Sequence, residues 1–456
     1  MKYLLETYGC QMNSAESAAM EHLLAARGWV ACTGAPAGSP RAAALPAADC
    51  DLVIINTCAV RATAEQRLFG RLAYYAALKK EAGFAIAITG CAAASSLAAL
   101  LSGGADFAIG PAEKHHFEHM LAGLERRSCA GGAADGGAAA GDAADVFARR
   151  HSKAGEFSAY VPIMHGCDNF CSYCIVPYVR GREVSRPAAA ILAEITALAG
   201  EGAAEITLLG QNVNAYNAAG ADGGAGAADF PALLRRIARQ VAGTSIRWVR
   251  FLSSHPKDVS DELIEVLAEH DCFCRHIHLP VQHGSDKILS AMNRRYTRAG
   301  YLERVAKLRA ALPGLTLSTD ILTGFPGETE EDFEQILSLM DEVRFSDAFT
   351  YYYNPRAGTA AFNFENQIAP ELKRARLARV IALQREHTKA AREAALGEER
   401  LVLVSGPSRK NRAELLCRGE HEEMCVVPAG QEMAGRFVRV RYAELSGVTF
   451  RALGKQ

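Results

Sequence analysis

Long hydrophobic runs are missing from this sequence. No apolar segment reaches bilayer-spanning length, and the amino terminus lacks the basic stretch, apolar run and cleavage site of a secretory leader. Both absences lead to the expectation of a cytosolic protein without a membrane partner. An excess of one charge is missing as well, with 50 Lys and Arg against 51 Asp and Glu and a formal net charge of −1. Any RNA binding must then come from local patches and shape rather than from a whole-molecule field. Disulfides are not expected, because the cytosol keeps thiols reduced, so 13 cysteines argue for metal binding or catalysis. Bulky side chains are nearly absent from 128–145 and from 217–229, which read as a flexible linker and an inserted surface loop.

The rest of the 456 residues are 49% hydrophobic, enough for about three domains with cores of their own. In the first 127 residues, short apolar runs at 2–8, 51–56, 84–89 and 106–109 alternate with amphipathic stretches at 15–27 and 63–80. That pattern predicts an α/β fold, an open Rossmann-like sheet, ending at a linker over 128–152. From 153 to 397 six strand candidates, 160–164, 205–209, 247–252, 276–281, 316–322 and 348–353, each precede a helical pattern. Six βα units predict a partial (β/α)6 barrel, whose functional residues gather at the carboxyl ends of the strands. Short alternating runs over 398–456 predict a small OB-like β-barrel. Arg409, Lys410 and Arg412 in one loop, with Arg436, Arg439 and Arg441 along one strand, tilt that module toward RNA, against a purely capping role.

Cys167, Cys171 and Cys174 form a Cys-x3-Cys-x2-Cys run after the first barrel strand. A structural zinc site would pair it with a second knuckle, and none follows within twenty residues. Three thiolates on a 4Fe-4S cluster leave one iron open to a substrate or cofactor. Cys10, Cys58 and Cys91 are distant in sequence, yet each follows an apolar strand, in YLLETYGC, DLVIINTC and FAIAITGC. Carboxyl strand ends line one edge of a parallel sheet, so these three predict a second three-thiolate cluster. Gly9 and Gly90 are expected to let the backbone approach that cofactor closely. The other seven cysteines, 32, 50, 129, 272, 274, 417 and 425, are expected to be buried or incidental thiols.

These residues resemble the radical S-adenosylmethionine (SAM) methylthiotransferases from end to end. TYGCQMN, NTCAVR and ITGC are similar to the family's N-terminal domain, HGCDNFCSYCIVPYVRG to its radical core and the tail to its TRAM domain. GREVSRP, LLGQNVNAY, SSHPKD and HLPVQHGSD resemble the branch that modifies tRNA. Two departures stand out: Ala92 to Ala94 where the family carries a nearby Gln, and His283 where LPVQSGSD is usual. The resemblance implies methylthiolation of carbon 2 of N(6)-dimethylallyladenosine at position 37 of tRNA, with two 4Fe-4S clusters and two SAM. The barrel cluster would cleave SAM to a 5′-deoxyadenosyl radical, and the other would carry sulfur. Partners would be the tRNA anticodon loop and a low-potential electron donor such as flavodoxin, with the enzyme a monomer. Rival substrates within the family are threonylcarbamoyladenosine tRNA and an aspartate of a ribosomal protein.

SAM needs polar groups at the barrel mouth. Gln211, Asn212 and Asn214 follow the second strand, Gln282 follows the fourth, and Asp320 points from the fifth if Thr316, Ser318 and Leu322 share its face. Arg294 in MNRRYT is a candidate to pair the SAM carboxylate, against the default reading of an exposed arginine. Amides after strands also cap helices and build turns, so each of these has a plain structural alternative. Of Tyr351, Tyr352 and Tyr353, alternation forbids all three from stacking on a base together. The basic helix expected over 371–399 is either a phosphate track or a solvated outer face.

Overall fold

The computed structural model describes residues 1–32, 49–58, 62–113, 115–130, 150–153, 155–218, 229–430 and 434–454. Most of the expected linker, 131–149, and ten residues of the expected inserted loop, 219–228, lie outside these. The chain divides into two compact units, one of Met1–Lys153, His165–Asp168 and Ile175–Arg186, the other of Ala154–Met164, Asn169–Cys174 and Pro187–Gln456.

The first unit is a five-stranded parallel sheet in the order β2-β1-β3-β4-β5. Its strands are β1 (Lys2–Thr7), β2 (Val30–Ala31), β3 (Leu52–Thr57), β4 (Ala85–Gly90) and β5 (Phe107–Ile109), with helices α1 (Gln11–Ala26), α2 (Ala62–Ala82), α3 (Cys91–Ser95), α4 (Leu97–Ser102) and α5 (His115–Ala130). All six residues of β3 are buried because both faces are covered. Val53 and Ile55 pack with Leu68, Leu72 and Tyr75 of α2, while Leu52 and Ile54 pack with Leu23, Leu24, Phe117 and Leu121. Strand order turns back on itself between β1 and β3, the kind of crossover where α/β sheets hold ligands.

Two expectations change here. Helix α5 continues through the first three residues of the expected linker, and His151 and Ser152 at its far end are buried, Ser152 accepting a 2.6 Å hydrogen bond from His22 Nε2. Cys32 and Cys50 are joined as a disulfide, their Cα atoms 6.5 Å apart. The sheet brings them together: Cys32 and Asp51 donate backbone hydrogen bonds to Tyr3 and Lys2 of β1.

Strand β6 (Ser158–Pro162) belongs to the second unit and α6 (Val176–Arg180) and β8 (Val184–Ser185) to the first, with β7 (Met164–His165) at a change from one to the other. The second unit contains all six expected barrel strands, as two parallel three-stranded sheets rather than one ladder. One has the order β10-β9-β6, with β9 (Glu205–Leu209) and β10 (Trp248–Phe251); the other is β11 (His276–His278), β12 (Thr316–Thr323) and β13 (Asp347–Tyr352). Helices α7 (Ala188–Gly200), α8 (Phe230–Val241), α9 (Asp261–Glu269), α10 (Asp286–Ala291), α11 (Arg298–Ala311), α12 (Glu330–Val343) and α13 (Pro370–Ala394) complete it. Among the described residues no helix is long and apolar enough to cross a membrane.

Strands β14 (Glu399–Pro407), β15 (Glu414–Gly419), β16 (Met424–Pro428), β17 (Phe437–Ser446) and β18 (Thr449–Gly454) close a barrel in the order β14-β15-β16-β18-β17. The last of them was not among the expected strands. Cys417 and Cys425 sit opposite each other in its core, beside stacked Tyr442 and Phe450. The turn after β15 lies against the amino ends of the larger barrel's strands. Glu205 of β9 is fully buried and accepts from Arg250 at 2.6 Å and from Arg418, while Arg250 donates to the carbonyls of Gly419 and Glu420. His421 hydrogen-bonds the Arg275 carbonyl. The small barrel therefore stoppers the amino end, leaving the carboxyl ends for chemistry.

Helix α13 has the solvated outer face expected, with Arg374, Arg385 and Lys389 exposed, but its inner face also carries cations. Arg376 and Arg392 are buried, paired with Glu328 and Asp347, because acids from neighbouring elements meet them. Glu328, at the end of GFPGE, also accepts from His283 Nε2 at 3.0 Å and from the Gly324 amide at 2.8 Å. His283 accepts the Ser285 amide on Nδ1, so this departure from the family motif is a buried brace.

Two consequences are measurable by urea unfolding. Glu205→Ala leaves Arg250 and Arg418 without their buried counter-charge and is expected to cost about 3–5 kcal/mol. His283→Ser removes a buried hydrogen bond to Glu328 and is expected to cost about 1–3 kcal/mol.

Candidate functional site

Cys10, Cys58 and Cys91 leave the carboxyl ends of three adjacent strands, β1, β3 and β4. The strand ends are pulled together by two fully buried asparagines. Asn13 Nδ2 donates to Asn56 Oδ1 at 2.9 Å, and Asn56 Nδ2 donates to the Asn13 carbonyl at 2.8 Å and to Ser17 Oγ at 2.9 Å. Gly9 and Gly90 have φ of +137° and +91°; a Cβ on Gly9 would stand 2.7 Å from Cys58 Cβ, and one on Gly90 2.2 Å from the Thr57 carbonyl oxygen. The two glycines thus permit the approach of strand to strand.

The Cys58 thiol lies within hydrogen-bonding reach of both Cys10 and Cys91. Hydrogen bonding from Cys58 outweighs burial and, helped by the Arg180 guanidinium, pulls Cys10 down to about 6 and Cys91 down to about 7, while the donor Cys58 is pushed up. Arg180, from α6, is 3% exposed and donates from Nε to Cys91 Sγ at 3.0 Å and from Nη1 to Glu16 at 2.8 Å. Its Nη2 is buried without a partner among the described residues. Ala92 and Ala93 are buried against Val179 of α6, which accounts for small residues there.

Among the described residues no three His, Cys, Asp or Glu side chains close around a single metal ion. A 4Fe-4S cube takes one thiolate on each of three irons and occupies more space than one ion. Thiols lowered toward neutrality beside an unsatisfied guanidinium N–H fit such an anionic, sulfur-rich group.

The Cys-x3-Cys-x2-Cys segment is fixed by its backbone. In the first unit the Cys167 amide donates to the Gly181 carbonyl at 3.3 Å, and a Cβ on Gly166 would collide with the Arg182 carbonyl. In the second unit the Cys174 amide donates to Cys171, while Ser172 bonds Ala291 and Met292 and Asn293 donates to the carbonyls of Asn169 and Phe170. Arg294 is buried, not exposed, and does not present a fork to a carboxylate. Nη2 donates to the Pro280 carbonyl at 2.7 Å, Nε to Tyr296, and Nη1 faces Cys171 Sγ at 3.5 Å.

Backbone strain marks the barrel mouth. Five of the eight described non-glycine residues with positive φ lie here: Phe170 in the cysteine loop, Ser253 and Gln282 in the loops after β10 and β11, and Asn293 and Arg295 after α10. In the loops after β9 and β10, Gln211 Oε1, Asn212 Oδ1, Ser254 Oγ and His255 Nε2 are buried without partners among the described residues. Asn212 anchors its amide on Asp258 at 2.8 Å. Burial, with Arg294, Lys257 and Arg295 nearby, pushes His255 down to about 2, so it is neutral; with Nδ1 accepting the Lys257 amide, Nε2 carries the hydrogen. Sequence reasoning saw SSHPKD but missed His255. Asn214 departs from expectation: both ends of its amide bond the His255 backbone, so it builds the loop.

Asp320 shares a face with Thr316 and Ser318, as expected: His276 bonds both hydroxyls, and His278 bonds Ser318 and lies 3.7 Å from Asp320. Gln282 reaches Asp320 at 3.5 Å. Beside them on β13, Phe349 and Tyr351 are 53% and 42% exposed, whereas Tyr353 is buried. Alternation rules out the three consecutive tyrosines and selects this alternate pair.

Residues 161–340 match the Radical SAM superfamily and residues 2–110 the uncharacterized protein family UPF0004. The tRNA-2-methylthio-N(6)-dimethylallyladenosine synthase of Treponema denticola is 46% identical over 99% of both chains. The Geobacter sulfurreducens protein of the same name is 41% identical over 96% of this chain and 94% of its own. Among solved structures, the radical SAM methyltransferase TsrM of Kitasatospora setae has a TM-score of 0.57 at 15% identity, covering 79% of this chain and 77% of its own, a likeness of fold. Two sets of three cysteines on these two domains, with near-complete coverage by such relatives, place the chain in the tRNA-2-methylthio-N(6)-dimethylallyladenosine synthase family of radical SAM enzymes.

Proposed function

We propose that this chain methylthiolates carbon 2 of N(6)-dimethylallyladenosine at position 37 of tRNA, using two SAM and two 4Fe-4S clusters. The observation that carries the reading is the gathering of Cys10, Cys58 and Cys91 on one sheet edge, since a methylthiotransferase needs a sulfur-bearing centre besides a radical barrel. When bound, the clusters supply reductive cleavage of SAM at the barrel and sulfur at the sheet edge. An aromatic C–H is beyond side-chain acids and bases, so the protein's part is to bind, orient and exclude water.

Cys167, Cys171 and Cys174 hold the barrel cluster, and Arg294 fixes the Cys171 thiolate. The unsatisfied groups of Gln211, Asn212, Ser254 and His255, joined by Gln282 and Asp320, bind SAM; unpaired buried polar atoms are costly unless a ligand meets them. Phe349 and Tyr351 offer a wall on which an unstacked loop adenine and its apolar substituent can rest. The exposed Arg409, Lys410, Arg412, Arg436, Arg439 and Arg441 contact tRNA phosphates. The reaction is cytosolic, the enzyme a monomer, and a flavodoxin-like protein delivers the electrons.

Three measurements test this. Cys171→Ala should abolish 5′-deoxyadenosine formation, while Cys58→Ala should keep appreciable SAM cleavage yet give no methylthio product; equal loss of cleavage would refute the division of labour. Reconstituted enzyme should act on prenylated but not on matched unprenylated tRNA, because burying five apolar carbons is worth at most about 3–4 kcal/mol. Product on threonylcarbamoylated tRNA, or on a ribosomal protein, would give the assignment to a rival. Charge reversal at Arg409, Lys410 and Arg412 should weaken tRNA binding and flatten its salt dependence without changing SAM cleavage.

A further inference from the structure

We infer that Arg180, paired with Glu16, is a positioning residue for the sulfur-bearing centre: its Nε–H bond to Cys91 sets the charge that centre carries and hence its reduction potential. The inference rests on the reading of Cys10, Cys58 and Cys91 as cluster ligands, and it adds two residues to which no role has been given.

Several features of the first unit point the same way. Arg180 and Glu16 each have side chains only 3% exposed, so their charges are screened little by water. An arginine whose sole task was to neutralise Glu16 would turn two of its nitrogens to the carboxylate, as Arg27 does to Glu125 and Arg71 to Glu6. Here only Nη1 meets Glu16, at 2.8 Å, while Nε is directed at Cys91 Sγ, at 3.0 Å. A neutral thiol is a weak acceptor, whereas a metal-bound thiolate is a charged one, so this geometry is matched to the ligated form. Nη2 remains buried and unpartnered among the described residues, a third donor in the same plane. Lysine has no such planar fork and could not serve Glu16 and a sulfur in the same way.

Hydrogen bonds to ligating sulfurs and the net charge around a cluster are main determinants of its potential. Reduction adds one negative charge, which a buried guanidinium stabilises and a buried carboxylate opposes. Arg180 and Glu16 therefore act with opposite signs, something a merely structural pair does not do.

The test uses the full chain with Cys171→Ala and Cys174→Ala, so that one cluster remains, and an EPR-monitored redox titration. Arg180→Gln should move the potential negative relative to this parent, Glu16→Gln should move it positive, and Arg180→Lys should fall between Arg180→Gln and the parent. Potentials that stay fixed, or that shift in the same direction for the Arg180 and Glu16 variants, overturn the inference. Should Arg180→Gln fail to retain iron, a positive shift in Glu16→Gln with a negative one in Arg180→Lys upholds it, and any other pair of signs overturns it. If the parent itself binds no cluster, the ligand assignment falls, and this inference falls with it.

Discussion

Everything in the first unit depends on how closely three parallel strands can end beside one another. Parallel strands run about 4.8 Å apart, and side chains at their ends would ordinarily hold the following loops away from each other. Gly9 and Gly90 remove that obstacle, and the two asparagines Asn13 and Asn56 replace it with a mutual amide clasp. Once the strand ends are clasped, the cysteines after them have little choice but to converge. The convergence of the three thiols at this edge is thus a product of backbone approach, enforced by residues other than the cysteines themselves.

The second unit solves a complementary problem. An incomplete barrel of six strands has two open ends, and buried polar groups at either one must be satisfied. At the amino end Glu205, Arg250, Arg418 and His421 form a network with the small barrel, although Arg392 Nε beside Asp347 has no partner among the described residues. At the carboxyl end Gln211, Asn212, Ser254 and His255 retain unmet polar atoms among the described residues. Four such atoms in two neighbouring loops are what a polar ligand at the carboxyl end would satisfy. The amino-end network also gives the small barrel two faces with different duties, one turned to the larger barrel and one carrying exposed arginines.

Much of this was legible in the sequence because it is local. Apolar runs followed by Cys announce strand ends, and the six βα units recur at spacings that leave little alternative. What escaped depends on contacts between distant segments. Arg180 and Glu16 are 164 residues apart, so nothing in either neighbourhood betrays the pair. The Cys32–Cys50 disulfide was masked by a prior about compartment, although the start of β1, with β2 on one edge and β3 on the other, is what unites the two thiols. The buried arginines of α13 escaped notice since a single-helix pattern cannot reveal Glu328 and Asp347 waiting opposite them. Asn214 and Asn212 are indistinguishable as loop amides, and only their partners separate a loop brace from a group with an open acceptor.

The order of the chain and the order of its folding units do not coincide. Residues 165–168 and 175–186 belong with the amino-terminal sheet, and Ile175 and Val179 pack in its core although the barrel's first strand precedes them. Cutting the gene at the glycine- and alanine-rich stretch would therefore not release a finished domain: the amino-terminal piece would lack a helix of its own interior and the cation beside Cys91. Recombination between relatives faces the same obstacle. A graft of the first 150 residues alone would bring a sheet whose missing piece is encoded by the recipient, so the two halves of this enzyme are constrained to be inherited together.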